Sequence, residues 1–419
     1  MKTKNKTTKA IRAMGAGLLA VAMGTVLALT GCSTGGGSSN AASTSTWPSA
    51  APPPTSQTNT YVGTQSPGLY TVTIDHTNNT YSYQNLSTKT AAVSGTFTTT
   101  ANGFLALSAG GYALEQLSRA VVLVPAAKLN QIGQVPLAGN AVFAIAAPSC
   151  QVIPAKAEFE YIEMANPYVG IPDVVTGSSG LLYGSTDSNG TNWTFGGELQ
   201  NVTASGTGSS PLPDPFTATC AASSAGPAVI QTTLTTPTSV PANFVVGPTG
   251  FFMEDRYQSG SNMIIYGPSF IGAVMPASPV NLSALNGANF LGVSVTGGVG
   301  TANGAGAGSN PVVNPPQLVS VSAAPDNSGS LQLTGGLFPS SGPTQAPGTG
   351  VAFNLGAQAT NNNGYFPSAT TTLTGANFGN EAGTNSSYAL VSDAGGKYTI
   401  FVFSGAGAGF ATGWIFFQQ

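Results

Sequence analysis

Glu158 and Glu160 alternate with Phe159 and Tyr161 along a strand-like run, which sets their carboxyl groups on one face about 7 Å apart. Paired carboxylates are what glycoside hydrolysis uses, one as acid and the other as base or nucleophile, and Glu163 and Asp173 stand nearby. The same alternation turns Phe159 and Tyr161 inward, so the carboxylates read as the wet face of a strand and not as a cleft. Glu254 and Arg256, two apart, read as a surface ion pair. The only histidine, His76, sits between Asp75 and the turn residues Asn78-Asn79, an exposed position with no nucleophile in sequence reach. Gly267-Pro-Ser269-Phe-Ile-Gly272 lacks nucleophile-elbow spacing. The Gly-Ala runs at 304–308 and 405–409 have no strand-to-helix context for phosphate.

Metal chemistry is equally thin. Zinc and copper sites draw on His and Cys, and the chain has one and three of these. Asp187-Ser-Asn189-Gly190 offers oxygen ligands on a tight turn, but the downstream Glu of a calcium loop is missing, and a hairpin turn explains the residues without a metal. No catalytic residue, metal or cofactor is therefore expected, and the chain is read as a non-enzyme. What remains is aromatic: Trp193, Tyr161 and Tyr168, with Tyr81, Tyr83 and Trp414, offer flat faces to a glycan, with strand-core packing as the competing role.

The elements that must position these groups are strands. From Thr60 onward short apolar runs alternate with Gly, Asn, Asp, Ser and Pro clusters. Tyr70, Val72 and Ile74 share one face; Trp193, Phe195 and Leu199 share another. Turns such as His76–Asn79, Asp187–Gly190, Asp326–Gly329 and Asp393–Gly396 join runs with residues that tolerate positive φ. Helix is minor, with short candidates at 125–132 and 281–285. The expectation is an all-β protein of antiparallel meanders, and closing each into a barrel hides its edges. Three units are expected: a meander over 60–128, a barrel-like unit over 137–277 and an eight-stranded one over 285–419. Their openings, Tyr61-Val-Gly, Gly139-Asn-Ala-Val-Phe143 and Gly287-Ala-Asn-Phe-Leu-Gly292, resemble the Gly-plus-aromatic first strand of lipocalin-like barrels.

Upstream of the body the composition changes. Lys2, Lys4, Lys6, Lys9 and Arg12 precede an uncharged stretch from Ala13 to Leu29, the order a secretion signal requires. The stretch ends in Leu29-Thr30-Gly31-Cys32, which resembles the lipobox of bacterial lipoproteins. The resemblance implies cleavage after residue 31, a diacylglycerol on Cys32, and membrane attachment through acyl chains worth about 0.8 kcal/mol per buried methylene. Ser33 in place of Asp implies passage to the outer membrane in a bacterium that has one. Residues 32–59 then read as the lipidated Cys and a flexible tether, Ser-, Thr-, Gly- and Pro-rich.

Without the leader the chain keeps six basic residues against fourteen acidic ones, a net charge of −8, which leaves no basic stripe for nucleic acid. In an exported protein the two remaining cysteines, Cys150 and Cys220, are expected to form a disulfide. Together these readings give a lipid-anchored envelope protein with a non-catalytic role in binding, adhesion or structure. Its partners would be the membrane through the lipid and a glycan or envelope protein. The alternatives are a barrel that carries a small apolar ligand, and a carboxylate-dependent glycosidase.

Overall fold

The computed structural model describes residues 58–419 apart from 65–68, 87–90, 126–140, 147–148, 151, 154–156, 164–177, 204–205, 212–215, 223–227, 235–239, 257–269, 295–298, 301–311, 314–315, 327–329, 340–341, 361, 376–381, 394–395 and 407–409. The leader, Cys32, residues 33–57 of the tether, Tyr168, Asp173 and all of the 125–132 helix candidate but Pro125 lie outside the described residues; Thr58 and Asn59, expected in the tether, instead belong to the first strand, where their backbones pair with Asp75 and Ile74.

The described chain is almost entirely antiparallel strand, folded into three closed eight-stranded barrels in tandem. The first is an up-and-down barrel of β1 (Thr58–Thr64), β2 (Leu69–Asp75), β3 (Thr80–Asn85), β4 (Val93–Thr99), β5 (Leu105–Leu107), β6 (Gly111–Gln116), β7 (Ala120–Pro125) and β8 (Val142–Ala146). Of the segment expected to open the second unit, Gly139–Phe143, the described residues 141–143 instead lead into β8 and close the first. β8 pairs with β7 on one side and β1 on the other, satisfying the two edges that a seven-stranded meander would leave open.

The second barrel is built from β9 (Ala157–Glu163), β10 (Ser178–Thr186), β11 (Asn192–Thr203), β13 (Phe216–Ala222), β14 (Ala228–Leu234), β15 (Val240–Val246), β16 (Phe251–Arg256) and β17 (Phe270–Val274). It closes through β9 on β17 and β10 on β11. One strand, β12 (Gly206–Pro211), adds to the far half of β11. With no alternating apolar residues β12 has no pattern to find; its ladder to β11 alone makes it a strand.

The third barrel takes β18 (Asn289–Ser294), β21 (Leu318–Pro325), β22 (Leu331–Leu337), β23 (Val351–Asn354), β24 (Tyr365–Leu373), β25 (Gly383–Ser392), β26 (Thr399–Ala406) and β27 (Phe410–Gln418), and closes through β18 on β27. A two-stranded ribbon, β19 (Val299–Gly300) with β20 (Val312–Val313), leaves it between β18 and β21. The helical candidate at 281–285 is a 3₁₀ turn, Leu282–Leu285, capped by Asn281, whose Oδ1 accepts from Ser283 N at 3.2 Å.

Local chemistry matches these turns. Asp75 accepts Thr77 N at 2.9 Å and Asn78 N at 3.2 Å, and Asn79 adopts φ +51°, a conformation Asn tolerates. At Asp187–Gly190 the glycine takes φ +69°.

Inward-facing residues fill each barrel: Val72, Ile74, Tyr81 and Phe97 in the first, Phe159, Trp193, Phe195 and Phe244 in the second, Phe353, Phe366, Trp414 and Phe416 in the third. A fourth cluster lies outside all three. Val62, Val122 and Phe143 from the first barrel meet Ile162, Phe251 and Ile271 from the second and Leu390, Phe401 and Ile415 from the third. The barrels therefore bury part of their outer walls against one another. Polar ties join the first and third as well: Gln116 Oε1 accepts from Thr399 Oγ1 at 2.9 Å, and Asn102 Nδ2 donates to Pro343 O at 2.5 Å.

Candidate functional site

The first barrel has two unlike ends. At one end, where the β2–β3 and β6–β7 turns lie, Glu115 on β6 points inward and accepts Tyr61 Oη at 2.5 Å and Asn59 Nδ2 at 3.4 Å on one oxygen. Its other oxygen stands 2.6 Å from His76 Nε2. Tyr61 Oη in turn accepts Ser118 N at 3.1 Å, and Ser118 Oγ donates to Asn59 Oδ1 at 2.9 Å. These bonds hold Ser118 in a left-handed conformation, φ +60°, which is unfavourable for a non-glycine residue. Phe97 meets the His76 ring edge-on at 5.5 Å. Burial, with the Glu115 charge behind it, raises the Tyr61 phenol well above its ordinary range, so it remains a donor. The network is a hydrogen-bonded floor.

His76 is thus not the exposed turn residue expected from sequence. It is half-buried and tied to a carboxylate thirty-nine positions away, a relation that no local pattern carries.

At the opposite end the inner wall carries tyrosines. The β2–β3 register sets Tyr70 across from Asn85, Val72 from Tyr83 and Ile74 from Tyr81, all facing the barrel axis. The Tyr81 and Tyr83 rings stack at 6.3 Å, tilted by 12°, and Tyr81 Oη accepts Ala109 N at 3.2 Å. Opposite Tyr81 stands Gly95, where a Cβ would come within 3.1 Å of the Tyr81 ring and 2.3 Å of Ser108 Oγ. Burial, then the neighbouring Tyr81 and Tyr70 hydroxyls, raise the Tyr83 pKa. Tyr70 and Tyr83 point inward yet stay partly exposed, so solvent reaches this end; Asn85 beside them is buried.

The residues singled out in the sequence are placed as follows. Glu158 and Glu160 do not form a wet face: Glu160 is 4% exposed, because β9 turns its outer face toward β25 of the third barrel. Burial first, and the Glu158 charge second, push the Glu160 carboxyl well above the usual range. Its Oε1 has no hydrogen-bond partner. Glu254 is no surface ion-pair residue either; it is wholly buried on the inner face of β16 with Phe252. Trp193 and Tyr161, expected as glycan platforms, are 1% and 2% exposed inside the second barrel, where Trp193 stacks on Phe195 at 5.3 Å. Alternation pointed them inward, and closure of the barrel buries whatever points inward.

Asp187 spends its carboxylate on its own turn, accepting Asn189 N at 3.2 Å, Thr191 N at 2.9 Å and Asn192 Nδ2 at 2.7 Å. Desolvation works against the charge, but the bonds from Thr191, Asn192 and Asn189 outweigh it and lower the pKa. Cys150 and Cys220 are joined, with Cα atoms 5.8 Å apart, across a sequence separation of 70. Cys220 lies on the inner face of β13, so the bridge fastens the segment after the first barrel to the second.

Sequence reasoning missed Glu115 and Tyr70. Glu115 carried a weak signal: in the run Ala113-Leu114-Glu115-Gln116 it shares the inward parity of Ala113, and an inward acid needs a partner. No protein-family model matches the chain, and no curated protein matches it either.

Proposed function

We propose that this chain is a lipid-anchored protein of the cell envelope, in the outer membrane where the bacterium has one, with a non-catalytic body that binds a glycan or an envelope partner. The observation that carries this reading is the apolar cluster shared by all three barrels, which packs them into one compact body. A body of that kind suits display and binding, which need fixed surfaces and no moving parts. The rival readings have less support. A glycosidase needs two carboxylates converging on a cleft, whereas Glu160 is buried in a seam between barrels. A carrier needs interior room, whereas the second barrel is filled by a ladder of rings, Phe195 on Phe244 at 5.1 Å and Phe244 on Phe252 at 5.7 Å.

Cell fractionation of Cys32→Ser tests the anchor. The variant is expected to leave the membrane fraction for the soluble one; retention after a high-salt wash overturns the assignment.

A further inference from the structure

We propose that Glu160 is a proton-operated latch on the seam between the second and third barrels. With its proton the seam is closed; without it the seam parts while both barrels stay folded. The proposal goes beyond the function argued above and needs neither the anchor nor a ligand.

Geometry comes first. β9 and β17 of the second barrel lie against β25 of the third. On the β9 face turned that way, the register flanks Glu160 with Leu181 of β10 and Ala273 of β17, and Ile162 follows it. Ile162 and Ala273 share an apolar cluster with Tyr388 and Leu390 of β25. Glu160 is buried among them, and its Oε1 has no hydrogen-bond partner. A neutral carboxyl is tolerated in such a place far better than a carboxylate, for which nothing there replaces the lost water.

The facing elements offer the charge no relief. The titratable groups on these faces are Glu158 on β9, Tyr183 on β10 and Tyr388 on β25, and β17 has none. No lysine or arginine occurs in any of the four strands. Burial and, after it, the like charge of Glu158 act in one direction and hold the proton on Glu160. When pH rises far enough to remove that proton, the carboxylate must reach water, and the backbone ladders that close each barrel do not have to break for it to do so. Only side-chain packing between β9, β17 and β25 has to yield. The third barrel stays fastened to the first through Gln116 with Thr399 and Asn102 with Pro343, so the movement is local to the seam. With the proton in place the three barrels keep the fixed surfaces that display requires.

The test is hydroxyl-radical footprinting of the full-length protein between about pH 4.5 and about pH 9, with Glu160→Gln run beside it. Oxidation of Tyr388 and Leu390 in the natural protein is expected to rise with pH, by about tenfold per unit between the ordinary value of 4.5 and the folded value, because opening releases one proton. Glu160→Gln has no proton to release and is expected to show no such rise; Glu160→Met serves if the glutamine variant fails to fold. Trp193 and Trp414, sealed inside the second and third barrels, are expected to stay protected in both proteins. Equal profiles for the natural protein and the variant overturn the proposal. So does oxidation of the two tryptophans in step with Tyr388, which would mean that the barrels themselves unfold.

Discussion

The Phe143 ring of the first barrel stands edge-on to the Phe401 ring of the third, with centroids 5.8 Å apart and planes at 86°. Phe251 of the second barrel completes the triangle, 6.4 Å from Phe143 and 6.0 Å from Phe401. One aromatic side chain from each barrel thus meets at a single point, and all three are buried.

Truncating any corner of this triangle should weaken all three barrels together. Phe143→Ala is expected to cost about 3–5 kcal/mol, the usual range for a buried Phe. Urea unfolding followed by far-ultraviolet dichroism and by tryptophan fluorescence should give coincident transitions, both shifted. A variant in which one probe moves and the other stays would mean that the barrels unfold independently.

The floor of the first barrel should depend on its carboxylate more than on its histidine. Glu115→Gln removes the charge that Tyr61, Asn59 and His76 share and is expected to cost about 1–3 kcal/mol. His76→Ala removes a partner that is 31% exposed, and solvent screening holds its cost to about 1 kcal/mol or less. Chemical denaturation of the two variants checks the order; equal midpoints would contradict it.

Glu160 makes stability depend on pH in a definite direction. Its folded carboxyl titrates above the unfolded value of 4.5, so the folded chain holds a proton that the unfolded chain releases. Its contribution is complete below about pH 4.5 and is lost as pH rises through the folded value. Glu160→Gln has no proton to lose and should match the natural protein in acid while exceeding it at neutral and alkaline pH. Urea midpoints across pH 4 to 8 test this, and parallel curves would refute it.

Loss of the Cys150–Cys220 bridge frees a loop of 70 residues, which the chain-entropy account values at about 4 kcal/mol. Cys220→Ser should therefore lower the denaturation midpoint by the same amount as adding reductant to the natural protein, and reductant should have no further effect on the variant.

The fold was legible wherever one face of a strand was apolar. Tyr70, Val72 and Ile74 point inward as their spacing requires, and so do Trp193 and Phe195. The reading failed at β9, because alternation was taken to mean water on the opposite face. Glu160 and Ile162 lie on that face, against the third barrel. The missing information was present elsewhere, in Ala120-Val-Val-Leu-Val124, Val142-Phe-Ala-Ile-Ala146 and Thr399-Ile-Phe-Val-Phe403. These runs do not alternate at all, the mark of strands buried on both faces. The floor of the first barrel was illegible for a different reason: Tyr61, His76 and Glu115 lie on three elements that only closure brings together.

The shared apolar cluster also sets an order of events during synthesis. Ile415 and Phe417 on β27 are part of it, and the third barrel cannot close before β27 pairs with β18. Until then Phe143 and Phe251 have no third partner, and the outer walls of the first two barrels are uncovered. A chain still being made would pass through a sticky intermediate whose lifetime is fixed by the arrival of one strand. Aggregation during folding, more than instability of the finished body, is the hazard this architecture carries.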